Sequence, residues 1–516
     1  MTAPARPELD ELAFVTLPEK GVAWLRDEMQ AGRVSARDLV QAYIRRIEHF
    51  DGPLRSVIEL NPDAEAIAGI LDAERAAGRK RGPLHGIPLL VKDNIDTDDR
   101  MHTTAGSLAM VLSRPARDAA VVKRLRAGGV VILGKTNLSE WANFRSRTST
   151  SGWSARGGQT RNAHRATHNP SGSSSGSGVA AALSFAAACV GTETDGSIVS
   201  PSGVNGVVGI KPTVGLTSRA GVIPISHTQD TVGPMARTVS DAAALLSELA
   251  GREPRDPATA NIPVNAESDY RSALDPTALR GARIGVLREP YAGYHAPTDR
   301  AYEKALEALR KAGAVLVDPA VITTAAEMRE SRGEIQLLQY EFKRDLAAYL
   351  ESRKPAAGIR PADLPRTLAD VIRFNEGHAA EELALFGQEN FEACESLPMT
   401  PAEYRKVLAA NRRLAGAQGI DAVVKKHRLA ALVAPTGAPA WPLAGKRDRF
   451  LGGSCGPSAM AGYPIVTVPM GAASGLPVGL SFIGRAWTEH TLIALAYAFE
   501  QLTMARRAPM LEPAAR

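Results

Sequence analysis

With 516 residues, of which 44% are hydrophobic and 22% charged, the chain has the composition of a globular protein and not of a disordered one. Its formal net charge of +6 is spread along the chain, and no run of like charges indicates a nucleic-acid-binding arm. Three widely spaced cysteines, none in a C-x-x-C pair, argue against a disulfide framework and a structural zinc site.

No stretch approaches the ~18 uninterrupted apolar residues of a membrane-spanning helix. Residues 1–10 contain no apolar core of the kind found in signal peptides. We therefore expect a protein with no nucleic-acid or membrane partner, cytoplasmic by default and secreted or periplasmic only if a signal peptide has been removed. The sequence does not give the oligomeric state, and a monomer is the simplest expectation.

Helical and strand patterns alternate in the N-terminal part of the chain, which predicts an α/β domain with a largely covered sheet. Lys92 lies at the end of one predicted strand. The predicted elements, in chain order, are a helix that begins at Ser35, a helix over 62–77, a buried strand over 87–91, a helix over 118–126 capped by Asp118, and a buried strand over 130–133.

The densest run of small residues extends from Ser171 to Pro201. It reads S-G-S-S-S-G-S-G, then an apolar run over 179–190, then G-T-E-T-D-G-S-I-V-S-P. Glycine and serine bury little surface and lose much conformational entropy on ordering, so such density indicates close approach of the backbone to a ligand. We predict two small-residue loops that flank one buried helix over 179–190, with Cys189 inside that helix.

Three kinds of chemistry compete for these loops. A phosphate-binding P-loop requires G-x-x-x-x-G-K-[ST], and no lysine follows Gly176 or Gly178. Residues 172–176 match the G-x-S-x-G nucleophile elbow, but that motif needs a strand before it, and residues 168–170 (H-N-P) are not strand-like. The third possibility combines both loops with Lys92.

A serine hydroxyl needs a neighbouring base in order to attack at neutral pH. Neither loop contains a histidine. His164 and His168 have i, i+4 spacing, but their neighbours argue against a helix that would present them to a metal, and we predict no metal site. A buried lysine can act as the base, because burial disfavours its charged form and lowers its pKa by up to about 3–5 units. Lys92 is the candidate.

Residues 145–170 have little periodicity, and we interpret them as part of the wall of the substrate site, with a mobile surface loop as the alternative. The further predicted elements, in chain order, are a strand over 207–210, a helix from Ser240 that ends at Gly251, a strand over 282–287, a helix over 298–312, a mostly helical block over 325–419 with a capping box at Thr400, strands over 429–433, 465–468 and 478–483, and a helix over 489–504.

Several blocks in this order resemble the amidase signature family. They are H-G-I-P-L-L-V-K-D-N (85–94), G-S-S-S-G-S (172–177) and G-T-E-T-D-G-S-I (191–198), with further similar blocks at 462–471 and 475–484. Longer runs at 138–145, 151–162 and 205–216 are most similar to the peptide amidases of that family. The resemblance covers nearly the whole chain.

The resemblance implies an α/β fold with one large domain over 1–516, built on a central twisted mixed β-sheet with helices on both faces. Residues 85–230 would form its signature core. The mainly helical segment 325–419 is least covered by the signature, and we expect it to cap the active site and to influence the choice of substrate.

The resemblance also implies the roles of the site residues. Ser197 would be the acyl-forming nucleophile, and Ser173, which in this family follows a cis peptide bond, would relay its proton to the base Lys92. Ser174 and Thr192 would orient the lysine. The oxyanion hole would consist of the backbone N–H groups of Thr194, Asp195, Gly196 and Ser197.

The sequence departs from the broad family pattern at four positions. Ser171 and Ser175 stand where glycine is usual, Asp195 replaces a glycine, and Val199 stands where arginine is common. A carboxylate aimed at the oxyanion would oppose it, so we predict that the side chain of Asp195 points away or is paired. Together these departures favour the peptide amidase subgroup.

The predicted function is a serine-dependent amidohydrolase that removes ammonia from the C-terminal carboxamide of peptides or N-acylated amino-acid amides, without metal or organic cofactor. Trp141, Asn143 and Phe144 are the candidate substrate-binding residues. The alternatives are a general carboxamide amidase, the A-type subunit of a tRNA amidotransferase, and an inactive family member used for binding.

Overall fold

An eleven-stranded mixed β-sheet runs through the centre of the molecule, in the order β1-β4-β2-β7-β9-β8-β14-β15-β13-β10-β11. The computed structural model describes residues 7–266, 268–443 and 448–510. The strands are β1 Val57–Leu60, β2 Pro88–Lys92, β3 Ser113–Arg114, β4 Val131–Thr136, β5 Trp153–Ser154, β6 Gly158–Gln159, β7 Ala188–Glu193, β8 Val208–Lys211, β9 Thr231–Ala236, β10 Arg283–Leu287, β11 Val315–Ala320, β12 Lys354–Pro355, β13 Ala431–Pro435, β14 Ile465–Ala473 and β15 Leu476–Ile483.

Helices surround this sheet, as the prediction of a single α/β domain requires. The helices are α1 Leu9–Glu11, α2 Val22–Gln30, α3 Ala36–Phe50, α4 Ala64–Ala76, α5 Ala120–Ala127, α6 Ser175–Ala182, α7 Val199–Asn205, α8 Val239–Leu249, α9 Ala296–Lys311, α10 Ala325–Glu330, α11 Gly333–Glu351, α12 Leu368–Gly377, α13 Ala379–Glu382, α14 Glu389–Ser396, α15 Pro401–Arg412, α16 Asp421–His427, α17 Gly456–Ala461 and α18 Glu489–Thr503. Among the described residues, no helix has both the length and the apolar character that a bilayer crossing requires.

The sheet is mixed because β4, β2 and β7 are parallel neighbours, as are β13, β10 and β11, while the strands between these groups pair antiparallel. The apolar residues of β2 are completely buried, which agrees with the continuous hydrophobic run that predicted this strand. Both neighbours of β2 lie parallel to it, so the ends of three strands meet at one edge of the sheet, near Lys92.

Helix α6 packs closely against these strands, and one of its glycines leaves no room for a larger side chain. A Cβ added at Gly176 would lie 2.2 Å from the carbonyl oxygen of Ser56 and 2.5 Å from that of Asn137. Glycine is therefore required at this position. The close contact fixes the first small-residue loop against the sheet.

The prediction of one helix over 179–190 is wrong. Helix α6 ends at Ala182, and strand β7, which contains Cys189, begins at Ala188. Arg46 donates to the carbonyl groups of residues 183 and 184, and Arg237 donates to those of residues 181, 186 and 187. These two distant arginines satisfy the carbonyl groups that are freed where the helix stops.

Two predicted caps also differ from the structure. Helix α5 begins after Ala119, whereas Asp118 accepts a hydrogen bond from the backbone of Asp98. Helix α8 is capped by Thr238 and not by Ser240. The capping box at Thr400 is confirmed at the start of α15.

Residues 145–170 do not form an exposed loop. The segment is mostly buried or half-buried and contains the β5–β6 hairpin. Asn137 holds it, because its amide donates to the carbonyl of Gly158 and the hydroxyl of Thr160 and accepts from the hydroxyl of Ser154. The segment is thus tied to the end of β4, beside the small-residue loops.

Candidate active site

Lys92 lies at the end of β2 and is completely buried. Its Nζ is 2.9 Å from Ser173 Oγ, 3.0 Å from Ser174 Oγ and 2.9 Å from Thr192 Oγ1. Thr192 is on the parallel neighbour β7, so the lysine and the threonine approach each other at the same edge of the sheet. The structure therefore brings the predicted lysine together with three of the predicted hydroxyl groups.

Burial lowers the pKa of Lys92 to about 7, although the negative charges of Asp230 and Glu193 partly oppose this effect. An ordinary lysine is almost entirely protonated at neutral pH and cannot accept a proton. With its lowered pKa, a substantial fraction of the Lys92 side chains is neutral at that pH. The site thus contains an amine able to act as a base.

The hydrogen bonds around Nζ leave one direction for its lone pair. Ser174 Oγ donates to the carbonyl of Thr192 at 2.9 Å, so it accepts from Lys92. Thr192 Oγ1 accepts from Asn94 Nδ2 at 2.9 Å and has a second lone pair for the lysine. The carbonyl of Thr192 is a third acceptor, 3.3 Å from Nζ, but the two hydroxyls are closer and can take both hydrogens of a neutral amine. The lone pair therefore faces Ser173 Oγ, whose hydroxyl donates to it.

The two small-residue loops are joined through their backbones. The N–H of Ser174 donates to the carbonyl of Ser197 at 3.0 Å. The peptide bond between Gly172 and Ser173 is cis, as the family resemblance implied. Ser171 has a φ of 60°, in the left-handed region that favours glycine, which explains why glycine is usual at this position.

The turn after β7 presents four consecutive backbone N–H groups, those of Thr194, Asp195, Gly196 and Ser197. Within the described part of the chain, none of the four donates to a protein acceptor. By contrast, the next two N–H groups, at the start of α7, both donate to the buried carboxylate of Glu193, at 2.7 and 3.0 Å. These two hydrogen bonds fix the end of the turn, and its own four N–H donors stay available for an oxyanion.

Gly196 allows this turn to form. It has a φ of +82°, and an added Cβ would lie 2.9 Å from the Sγ of Cys455. We expect Gly196→Ala to displace the N–H donors and to lower kcat about 10²-fold, the effect of losing one oxyanion donor, with little change in KM. Steady-state kinetics measure this. Gly52→Ala is the control, since its added Cβ meets nothing within 4 Å and it lies outside the site and the cavity. A Gly196→Ala variant as active as that control would contradict the expected role.

Asp195 has no basic partner among the described residues, so an ion pair does not neutralise it. Asp195 is solvent-exposed. Partial desolvation by the surrounding protein nevertheless raises the pKa of its carboxyl. A hydrogen bond from the thiol of Cys455 and the positive charge of Lys211 both oppose that rise. The partner found for Asp195 is therefore a thiol and not the cation that a paired carboxylate usually has.

Trp141 and Phe144 pack in a buried aromatic cluster. Trp141 is 1% exposed and makes edge-on contacts with Phe342 and Phe391, with ring centroids 6.4 and 5.6 Å apart. Phe144 also contacts Phe342. Both rings join the signature core to helices α11 and α14, and their burial leaves them little surface for a substrate.

Two of the three candidate substrate-binding residues have a buried polar atom without a partner among the described residues, Trp141 through its Nε1 and Asn143 through its Oδ1. Asn143 ends a run of three residues, 141–143, with φ values of 48°, 53° and 66°. Each left-handed residue costs roughly 1–2 kcal/mol, so the aromatic cluster beside the turn must stabilise it. The Nδ2 of Asn143 is hydrogen-bonded, but its buried Oδ1 has no partner among the described residues.

Four residues around the site were not singled out from the sequence. Asn94 and Glu193 lie inside blocks that carry the family resemblance, so their position was a usable signal. Asp230, which accepts from Thr194 Oγ1 at 2.6 Å, and Cys455 come from distant segments without a motif. Only the folded chain brings these two to the turn.

One cluster of possible metal ligands lies away from this site. Ligand atoms of His227, Glu341 and Asp345 are within 4.8 Å of one another. These atoms already have protein partners: His227 Nδ1 is 2.6 Å from Asp345, and the carboxylate of Glu341 accepts from the hydroxyls of Thr228 and Tyr404. We interpret the cluster as a hydrogen-bonded network that joins the core to α11 and α15.

Comparison with known proteins agrees with this geometry. The family model described as Amidase matches residues 38–493. The crystal structure of a peptide amidase from Stenotrophomonas maltophilia is 53% identical, with a TM-score of 0.90, over 96% of this chain and 99% of that chain.

Two curated relatives extend the comparison. A probable amidase of Arabidopsis thaliana is 40% identical over 96% of this chain and 92% of its own length. The A-type subunit of the glutamyl-tRNA(Gln) amidotransferase of Chloroflexus aurantiacus is 34% identical over 92% of this chain and 95% of its own length. The chain belongs to the amidase signature family and is a hydrolase that acts on amide C–N bonds.

Proposed function

We propose that this enzyme hydrolyses the C-terminal carboxamide of peptides or N-acylated amino-acid amides and releases ammonia. The observation that carries the proposal is the buried amine of Lys92, which is hydrogen-bonded to Ser173 beside a turn with four free N–H donors. The similarity to a peptide amidase, at 53% identity over nearly the whole chain, favours a peptide amide as the substrate.

In the proposed reaction, Ser197 Oγ attacks the carboxamide carbon and passes its proton to Ser173, while Ser173 passes its own proton to Lys92. The free N–H groups of the turn stabilise the oxyanion that forms. The C–N bond then breaks, and the same two groups return a proton to the departing ammonia. Water hydrolyses the acyl ester of Ser197 and restores the serine. None of these steps needs a metal or an organic cofactor.

The proposed nucleophile, Ser197, is connected to the first loop through its backbone carbonyl and not through its hydroxyl. It is 7% exposed, and its Oγ has no hydrogen-bond partner among the described residues. In the proposal, its hydrogen bond to Ser173 forms when a substrate fills the site. Such catalytic hydrogen bonds often tighten only in the substrate complex.

Substrate binding is proposed to involve the turn at 141–143. The unpartnered Oδ1 of Asn143 would accept a hydrogen bond from the carboxamide nitrogen of the substrate. Trp141 and Phe144 would act through the turn that they support. The helical segment 325–419 is proposed to cap the site, and the contacts of Trp141 with α11 and α14 support this role.

Ammonia release by the purified chain tests the proposal. The enzyme is expected to release ammonia from a peptide amide much faster than from an internal glutamine or asparagine of the same peptide. Equal rates would contradict the specificity. The similarity to one component of an amidotransferase suggests the second candidate, which requires partner subunits. Rapid hydrolysis by the chain alone would exclude that candidate as its main role.

A further inference from the structure

A cavity of about 790 Å³ lies beside the turn that carries Ser197. Its walls come from the loop at 289–294, from α10 and the start of α11, and from the segment 451–460. Lys92 and Ser197 do not line it. Cys455 lies between the lining residues Gly453 and Gly456, and its Sγ lies against Gly196 of the turn, so this segment joins the cavity wall to the turn.

A second connection joins the cavity to the turn. Glu334 lines the cavity, and its Oε1 accepts from Gln229 Nε2 at 2.9 Å. The same Nε2 also donates to the carbonyl of Thr194 at 3.4 Å. One buried amide therefore holds the carboxylate of Glu334 at a fixed place relative to the oxyanion turn.

The size of this cavity assigns it to one part of the substrate. On the function proposed above, the leaving group is ammonia, which has a single heavy atom. The cavity is linked to the turn through Gln229 and is far larger than ammonia requires, so its size fits the acyl part. That part begins with the residue whose carboxamide is cleaved.

Three polar side chains lie where the cavity approaches the turn, and one of them, Glu334, lines the cavity itself. Within the described residues, neither Glu334 nor Asp195 forms an ion pair, and Gln229, which is 1% exposed, has no partner for its Oε1. Burial and then the charge of Asp195 raise the pKa of Glu334 to about 8. A carboxylate that has been desolvated and has no ion pair is stabilised by a cation placed beside it.

Other charges in the cavity leave this acidic character in place. Arg288 is paired with Asp318 and Glu303, so its charge is compensated. Arg329, on α10, also lines the cavity but is exposed, so solvent screens its charge. The rings of Tyr291 and Tyr294 offer apolar surface for the aliphatic stem of a long basic side chain.

We propose that Glu334, in the wall of this cavity and near Asp195 of the turn, forms a subsite for a positively charged side chain on the residue that carries the cleaved carboxamide, so that amides of C-terminal arginine or lysine are preferred. Ammonium and guanidinium groups supply both the positive charge and the N–H donors that this wall lacks. Glu334 is the specificity-determining residue of the pair, because it lies outside the oxyanion turn and can be changed without altering the turn's donors.

Two substrates of nearly the same shape test the proposal: the amides of N-acetyl-arginine and of N-acetyl-citrulline, which is neutral. At about pH 9, above the pKa of Glu334 of about 8, the wild type should have at least a tenfold higher kcat/KM for the arginine amide. Glu334→Gln should abolish this preference and leave the citrulline rate unchanged. Glu307→Gln is the control for the loss of one carboxylate: Glu307 is on the neighbouring helix α9 and does not line the cavity, so this variant should keep the wild-type preference.

Each outcome is informative. If the wild type hydrolyses neither amide, the proposed function itself fails. If it hydrolyses both at the same kcat/KM, the function stands and the subsite is overturned. A Glu334→Gln variant that loses both activities in equal proportion has suffered a general structural effect and also overturns the subsite. The citrulline rate thus reports on folding in the same experiment.

Discussion

Replacing Ser197 with alanine is expected to lower kcat by at least about 10⁴-fold, because it removes the atom that forms the acyl-enzyme. The N–H donors of the turn and the binding cavity remain, so KM or the Kd of a substrate should change little. Ammonia release under saturating substrate measures kcat. The rate that remains should be the contribution of the oxyanion donors alone.

Ser200→Ala is the control for the effect of a lost hydroxyl in the same region. Ser200 is three residues further along the chain and bonds Ser171 Oγ at 2.9 Å. Its alanine variant should retain kcat within a few-fold. If Ser197→Ala kept more than a few per cent of the wild-type activity, or still formed a covalent adduct with an amidase inhibitor, another residue would have to be the nucleophile.

Replacing Lys92 with methionine is expected to reduce kcat by a similar factor, because the proton of Ser173 then has no acceptor. Methionine fills most of the buried volume, so the loss would be chemical and not a collapse of the core. Lys135→Met is the matched control: Lys135 is equally buried, on the adjacent strand β4, but it donates to the carbonyl of Ile95 and the hydroxyl of Thr103. That variant should lose stability and keep its activity per folded molecule.

The pH dependence of the wild type tests the same role independently. Because Lys92 must be neutral and its pKa is lowered to about 7, kcat/KM should fall tenfold per pH unit below that value and level off above it. Rates from pH 5 to 9, normalised to folded enzyme, would measure this. A profile without an acid limb near pH 7 would mean that the base is not this lysine.

The chemistry-bearing residues were the part of the molecule most easily predicted from sequence. Lys92 follows a continuous apolar run, and such a run bounded by glycine predicts a buried strand with a polar residue at its end. Ser173 and Ser197 were predicted from their spacing inside two blocks that resemble the amidase signature family. The structure places Lys92 in contact with the first loop and the backbone of that loop in contact with Ser197.

The run over 179–190 was misinterpreted because periodicity cannot separate a buried helix from a helix followed by a buried strand. What divides it is the capture of its carbonyl groups by Arg46 and Arg237, which are distant in sequence. The same reason hid Glu334 and Cys455 from sequence reasoning. Neither belongs to a motif, and each reaches the oxyanion turn only through the tertiary fold.

The groups with proposed roles in bond breaking all belong to one continuous stretch, residues 85–230, whereas most of the cavity wall is contributed by later segments of the chain. On the proposals above, a mutation in the cavity wall can therefore alter which acyl group is accepted without touching the reacting serine or its base. The wall segments concerned are the loop at 289–294, the start of α11 and residues 451–460. Evolution can diversify such enzymes in small steps. Grafting these three segments between relatives would be a rational starting point for exchanging substrate preference while preserving turnover.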